Sequence, residues 1–160
     1  MNWLPWLILV VVLGMLAYPI IMIVPSARQK QLMALRISAT QHGIAVQIRS
    51  PILPAQLKDH YRQLANGVAY ALPCHDSCLT GSYTALRSSH SGDWFWPDQQ
   101  RPPVTLLPAL LAQYQQLPDY CLAVEQGPAG SAVYVREVFP ADDIARLHAS
   151  LTKLNQLICK

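Results

Sequence analysis

Cys74-His75-Asp76-Ser77-Cys78 gathers two thiols and an imidazole within five residues, the densest chemistry-bearing stretch of the chain. Cysteine and histidine are zinc's preferred ligands, and C-x₃-C lies within the spacing used by paired ligands. Cys74, Cys78 and His75 are therefore the candidate metal ligands. They make only half of a tetrahedral set, and folding would have to bring in the rest from Cys121, Cys159, His60 or His90. A thioredoxin-like redox site would need C-x-x-C in a βαβ setting. This spacing is one residue longer and falls between two strand patterns. The plainer reading is a turn that happens to carry two thiols.

Trp94-Phe95-Trp96 is the second cluster of note. Tryptophans anchor interfaces, so Trp94 and Trp96 are candidate interaction residues. The same residues more often pack a sheet, and the expectation is packing with one tryptophan facing outward. No other chemistry is indicated. There is no G-x-S-x-G and no phosphate loop or dinucleotide fingerprint. None of the 9 acidic residues stands in an acid–base pair. The 12 Lys and Arg residues are too few and too clustered near the N-terminus for a nucleic-acid surface. The sequence thus predicts no catalysis, no cofactor, no nucleic acid and no small-molecule substrate.

The elements that position these clusters begin with a hydrophobic segment. Trp3 to Val24 runs 22 residues without a charge, and about 20 apolar residues in a helix cross a bilayer core of roughly 30 Å. Only Met1 and Asn2 precede it, so the basic n-region of a cleaved signal peptide is missing. The expectation is a retained transmembrane helix at 1–25. Pro5 suits the first turn, and Pro19 should kink the span or mark the interface. Trp3 and Trp6 suit a headgroup layer. Arg28, Lys30 and Arg36 follow on the C-terminal side, and the first acidic residue is Asp59. Basic residues stay on the cytoplasmic side. This predicts an inner-membrane protein with its N-terminus outside, its soluble domain in the cytoplasm, and anionic lipid held by the basic flank. Cytoplasmic cysteines should be reduced; were the orientation opposite, Cys74–Cys78 would become a plausible loop disulfide.

Behind the span, residues 26–42 read as a juxtamembrane amphipathic helix. Ser26 is its cap, Leu32, Leu35 and Ala39 share one face, and Gly43 is its stop. Residues 43–160 read as one α+β domain with a mainly antiparallel sheet. Strand patterns fall at Ile44–Arg49, Gly67–Leu72, Tyr83–Ser88 and Trp94–Trp96, and a hairpin turns at Gly127-Pro128-Ala129-Gly130. Leu57, Tyr61 and Leu64 share one side of a short helical pattern. A further helix starts near Pro108 and ends before Pro118. The last runs from Pro140 to Ile158, where Ile144, Leu147, Leu151, Leu154 and Ile158 form a seam suited to packing on the sheet.

This layout resembles a group of uncharacterised gammaproteobacterial single-span inner-membrane proteins. The likeness lies in the span, in the basic helix Ser26-Ala27-Arg28-Gln29-Lys30-Gln31-Leu32-Met33-Ala34-Leu35-Arg36, in the unit Gly43 to Ile48, and in Gln115-Gln116-Leu117-Pro118 before a hairpin. Such proteins are sometimes labelled as similar to the YajC subunit of the preprotein translocase. That subunit's glycine-rich hairpin after the span has no counterpart in this chain, so no functional residue carries over. The function expected is that of an accessory protein that binds or stabilises a larger membrane complex. The alternative is a membrane-anchored thiol or zinc module centred on Cys74 and Cys78.

Overall fold

The computed structural model describes residues 3–23, 26–51, 53, 57, 61, 64, 67–74, 79–97 and 101–159. Two compact units divide the chain, Met1–Ala34 and Leu35–Lys160. Among the described residues there are four α-helices and one six-stranded antiparallel sheet, an α+β architecture.

In the first unit, α1 spans Leu4–Ile23, 20 residues with no acidic or basic member. Its described side chains, Leu4–Met15 and Tyr18, are all exposed. Among the described residues, no helix is long and apolar enough to cross a membrane.

Helix α2, Ala27–Gln41, has both ends written in its sequence. The Ser26 hydroxyl accepts from the Gln29 N–H at 3.3 Å, and the Gln29 side-chain oxygen accepts from the Ser26 N–H at 2.8 Å. Two otherwise orphaned donors are thereby satisfied reciprocally. At the other end Gly43 adopts φ +73°. The Ile44 N–H then reaches back to the Ala39 carbonyl and the Gly43 N–H to the Thr40 carbonyl, both at 3.0 Å. This glycine-dependent closure satisfies the last carbonyls and drops Ile44 into the core.

The strands are β1 Ala45–Ile48, β2 Val68–Pro73, β3 Tyr83–Arg87, β4 Trp94–Phe95, β5 Cys121–Gly127 and β6 Gly130–Val135, in the order β1-β2-β6-β5-β3-β4. Helix α3, Leu107–Gln115, carries Pro108 in its first turn as expected, and α4 spans Asp143–Ile158. The pairing register puts Val46, Tyr70, Val133, Val124 and Ala85 in one row across five strands. Side chains alternate between faces along a strand, so this row and its neighbours form a single apolar face. It is covered by Leu35 and Ala39 of α2, Leu110 and Tyr114 of α3, and the Ile144–Leu154 seam of α4. The seam packs on the sheet, as its spacing predicts.

The opposite face carries a smaller cluster. Ala69, Tyr134, Ala123 and Leu86 form its row and meet Tyr61 and Leu64. Main-chain bonds from Tyr61 to Leu57 and from Leu64 to Tyr61 fit the helical spacing of those residues. A bulge between Cys121 and Ala123 lets these two residues face opposite ways. One extra residue shifts the alternation by one, so Cys121 enters the helix-covered core and Ala123 the smaller cluster.

Candidate functional site

Strand β2 ends at Pro73 and α4 ends at Ile158, and the residue after each is a cysteine. Cys74 and Cys159 are joined as a disulfide with Cα atoms 6.5 Å apart and 85 positions apart in sequence. That Cα separation is within the range a disulfide spans. The structure holds Cys74 in a disulfide where a reduced thiol was expected, and the conditional Cys74–Cys78 pairing is corrected: the partner of Cys74 is Cys159. Register decides this. The seam of α4 fixes Ile158 in the core, and the next residue is carried to the end of the strand beneath it. His75 and Cys78 lie outside the described residues. Among the described residues no group of three or more His, Cys, Asp or Glu could hold a metal.

Main-chain bonds hold both cysteines. The Cys74 N–H donates to the Ala129 carbonyl in the β5–β6 turn at 3.0 Å. The Asn155 side-chain amide donates to the carbonyls of Leu72 (3.0 Å) and Pro73 (3.2 Å), and the Asn155 carbonyl accepts from the Cys159 N–H at 2.7 Å. Gly130, at φ +121°, lies against the end of β2 so closely that a Cβ there would collide with the Leu72 carbonyl and the Cys74 nitrogen. Cys121 is a contrast. It is fully buried, and desolvation pushes its thiol up to about 12, so it carries no thiolate at neutral pH.

Arg36 takes a role that the sequence does not announce. Expected among the membrane-anchoring basic residues, it makes a two-pronged pair with Glu137, Nε to Oε1 at 2.8 Å and Nη2 to Oε2 at 2.6 Å. The Tyr70 hydroxyl adds a third bond to the same carboxylate at 3.1 Å. The Glu137 interaction raises the Arg36 guanidinium further, and burial beside Glu137 raises the Tyr70 phenol. The pair ties α2 to the sheet, which leaves Arg28 and Lys30 as the basic residues free of that tie.

A second set stands on the opposite face. The Tyr134 hydroxyl donates to Glu125 at 2.7 Å, and Arg49 reaches the other Glu125 oxygen at 3.2 Å while its guanidinium sits 5.8 Å from the Tyr134 ring centre. Beside it runs a shallow groove of about 390 Å³, floored by the small residues Ala45, Ala71 and Ala132 and bounded by Arg49 and Glu125. Among its described lining residues the two opposite charges, Arg49 and Glu125, are paired with each other.

Trp94 and Trp96 lie on one side of β4 and its continuation, and both pack on Tyr114, with ring centres 5.3 and 6.0 Å away. The expectation that one would face outward fails: alternation sends Phe95 to the far cluster and both indoles toward α3. Arg87 stabilises this corner. It donates to the carbonyls of Gly92 and Pro118, pairs with Asp119 at 2.7 Å and sits 5.9 Å from the Trp94 ring centre. Of the anchor candidates, Trp3 and Trp6 are 68% and 72% exposed.

No family model matches this chain, and neither a curated protein nor a solved structure matches it.

Proposed function

We propose that this is a single-pass inner-membrane protein that acts by binding rather than by catalysis, its α+β domain docking on or stabilising a larger membrane assembly. The observation that carries the reading is in the sequence, the uncharged run of 22 residues from Trp3 to Val24, of which the described helix α1 forms a part that is by itself not long and apolar enough to span. Its described side chains, Trp6 among them, and the preceding Trp3 are exposed, and so much apolar surface needs a bilayer or another helix to cover it. Arg28 and Lys30 on its C-terminal side argue for a cytoplasmic domain and for contact with anionic lipid. Arg36 adds less to this than its charge suggests, because Glu137 neutralises it.

Two experiments test the reading. Alkaline carbonate should leave the full chain in the membrane pellet; release into the supernatant counts against the span. Reporter fusions at the C-terminus should report a cytoplasmic domain, and changing Arg28 and Lys30 to Glu should disturb that orientation while Arg36→Glu acts mainly on stability. Purification in mild detergent from the native membrane should then bring a stoichiometric companion, identifiable by mass spectrometry. A protein that comes alone would argue against the accessory role.

A second reading, a membrane-anchored thiol module, is favoured by one observation. A second cysteine does meet Cys74, and it is Cys159.

A further inference from the structure

Cys74 and Cys159 sit where hydrogen bonds that do not involve sulfur also hold the ends of β2 and α4. Three main-chain attachments converge there: Cys74 to Ala129, the Asn155 amide to Leu72 and Pro73, and Cys159 to Asn155. None involves sulfur, so the two Cα atoms are held 6.5 Å apart by hydrogen bonds of the backbone and of one asparagine. Asn155 is itself buried, and its side-chain oxygen has no hydrogen-bond partner. The asparagine is thus retained for what its amide grips, the end of β2. Both cysteines are half-buried, accessible to a small oxidant, whereas Cys121 is sealed in the core.

Chemistry and location together then define a use. A disulfide formed in a reducing compartment is usually a transient one, catalytic or redox-sensing. We propose that Cys74 and Cys159 are a reversible redox pair, a dithiol in the resting cell and a disulfide under oxidative stress, whose closure staples the end of α4 to β2. The proposal rests on the cytoplasmic placement of the domain argued above.

The steps balance. One thiolate attacks a peroxide oxygen, giving a sulfenic acid and one water after proton transfer. The second thiol displaces the hydroxyl, forming the S–S bond and a second water. A cellular dithiol reverses the reaction by two exchanges, leaving as its own disulfide and returning both protein thiols. Closing so long a loop restricts the unfolded chain, so the oxidised domain should resist unfolding more than the reduced one.

The test uses the full chain in its native membrane. Thiols are trapped by acid quenching and alkylation before and after a pulse of hydrogen peroxide, and linked peptides are mapped by mass spectrometry. The expected result is alkylated Cys74 and Cys159 in resting cells, a Cys74–Cys159 linked peptide after peroxide, and its disappearance with dithiothreitol. Cys78→Ser should leave the link intact and Cys159→Ser should abolish it. In detergent, oxidation should raise the Tm of the wild-type chain and leave that of Cys74→Ser unchanged. No link after peroxide, or a Cys74–Cys78 link, overturns the pair while the cytoplasmic reading stands. So does stoichiometric zinc on the resting protein. A link already complete in resting cells overturns the reversible pair, and the C-terminal reporter then decides whether the cytoplasmic reading falls with it.

Discussion

Two clusters of the same three residue types, Tyr–Glu–Arg, flank one sheet on opposite faces, and they are built to different standards. On the helix-covered face Tyr70, Glu137 and Arg36 share three bonds, with both guanidinium prongs on one carboxylate. On the opposite face Tyr134, Glu125 and Arg49 share two, and the arginine contact is single and longer. The tyrosines are near neighbours in the ladder, since Tyr70 pairs with Val133 and Ala69 with Tyr134. What separates the clusters is how each arginine is anchored, since the two pairs are similarly exposed. Arg36 comes from a helix already seated by Leu35 and Ala39, so little freedom is left to lose when the pair forms. Arg49 follows a short edge strand and meets its carboxylate through one contact of 3.2 Å. Identical chemistry therefore yields a clasp on one face and a loosely held pair on the other.

Alkali should strain the comparison most. Tyr70, Tyr114, Tyr120 and Cys121 on the helix face, and Tyr134 on the other, are all made weaker acids than usual by burial, their pKa values raised. Each is protonated when folded at a pH where the unfolded chain would already have lost the proton. Their contribution is thus complete below the ordinary thiol and tyrosine range and lost as pH rises beyond it. Cooperative unfolding followed by circular dichroism should begin above about pH 9, the ordinary thiol range, with tyrosinate absorbance rising in step with it. Tyrosinate appearing well before unfolding would show that the phenols are not protected by the fold.

Core truncation comes next. Leu151→Ala, under α4, should cost about 3 kcal/mol, and Leu64→Ala in the smaller cluster about 2 kcal/mol, because a thinner layer collapses more readily around a cavity. Denaturant unfolding of the full chain in detergent reads both, and the reverse order would place the main core on the wrong face.

The ion pairs sharpen the contrast directly. Arg36→Ala should cost about 2 kcal/mol, since it strips a half-buried carboxylate of two charged hydrogen bonds. Arg49→Ala should cost about 0.5 kcal/mol and lose even that in high salt. A double-mutant cycle with Glu137→Gln and Glu125→Gln isolates each coupling, and equal couplings would remove the distinction. Tyr134→Phe should fall between the two arginine changes, at about 1 kcal/mol by the same unfolding assay.

Much of this was legible in the residues because it is local. Ser26 with Gln29, Gly43 after Gln41, Pro108 at a helix start and Gly127 to Gly130 between alternating runs each specify one turn of backbone, and each element stands where those residues put it. The 3-4-3-4 spacing of α4 likewise declares which side is buried. Trp94 and Trp96 were half legible. Their role in packing follows from type, but the outward-facing member does not exist, because both share one parity of β4 and Tyr114 fills the space above it.

Long-range partnership was not legible. Nothing near Arg36 points to a carboxylate 101 positions later, and nothing in the Cys74–Cys78 spacing points to Cys159. The sequence by itself determined the element types and ends, the apolar helix and the sidedness of α4, all set by neighbours within a few residues. Only the tertiary structure decided strand order, the divergence of the two Tyr–Glu–Arg clusters and the choice among the cysteines. Those depend on which distant segments share a layer, and register carries that information while local spacing does not.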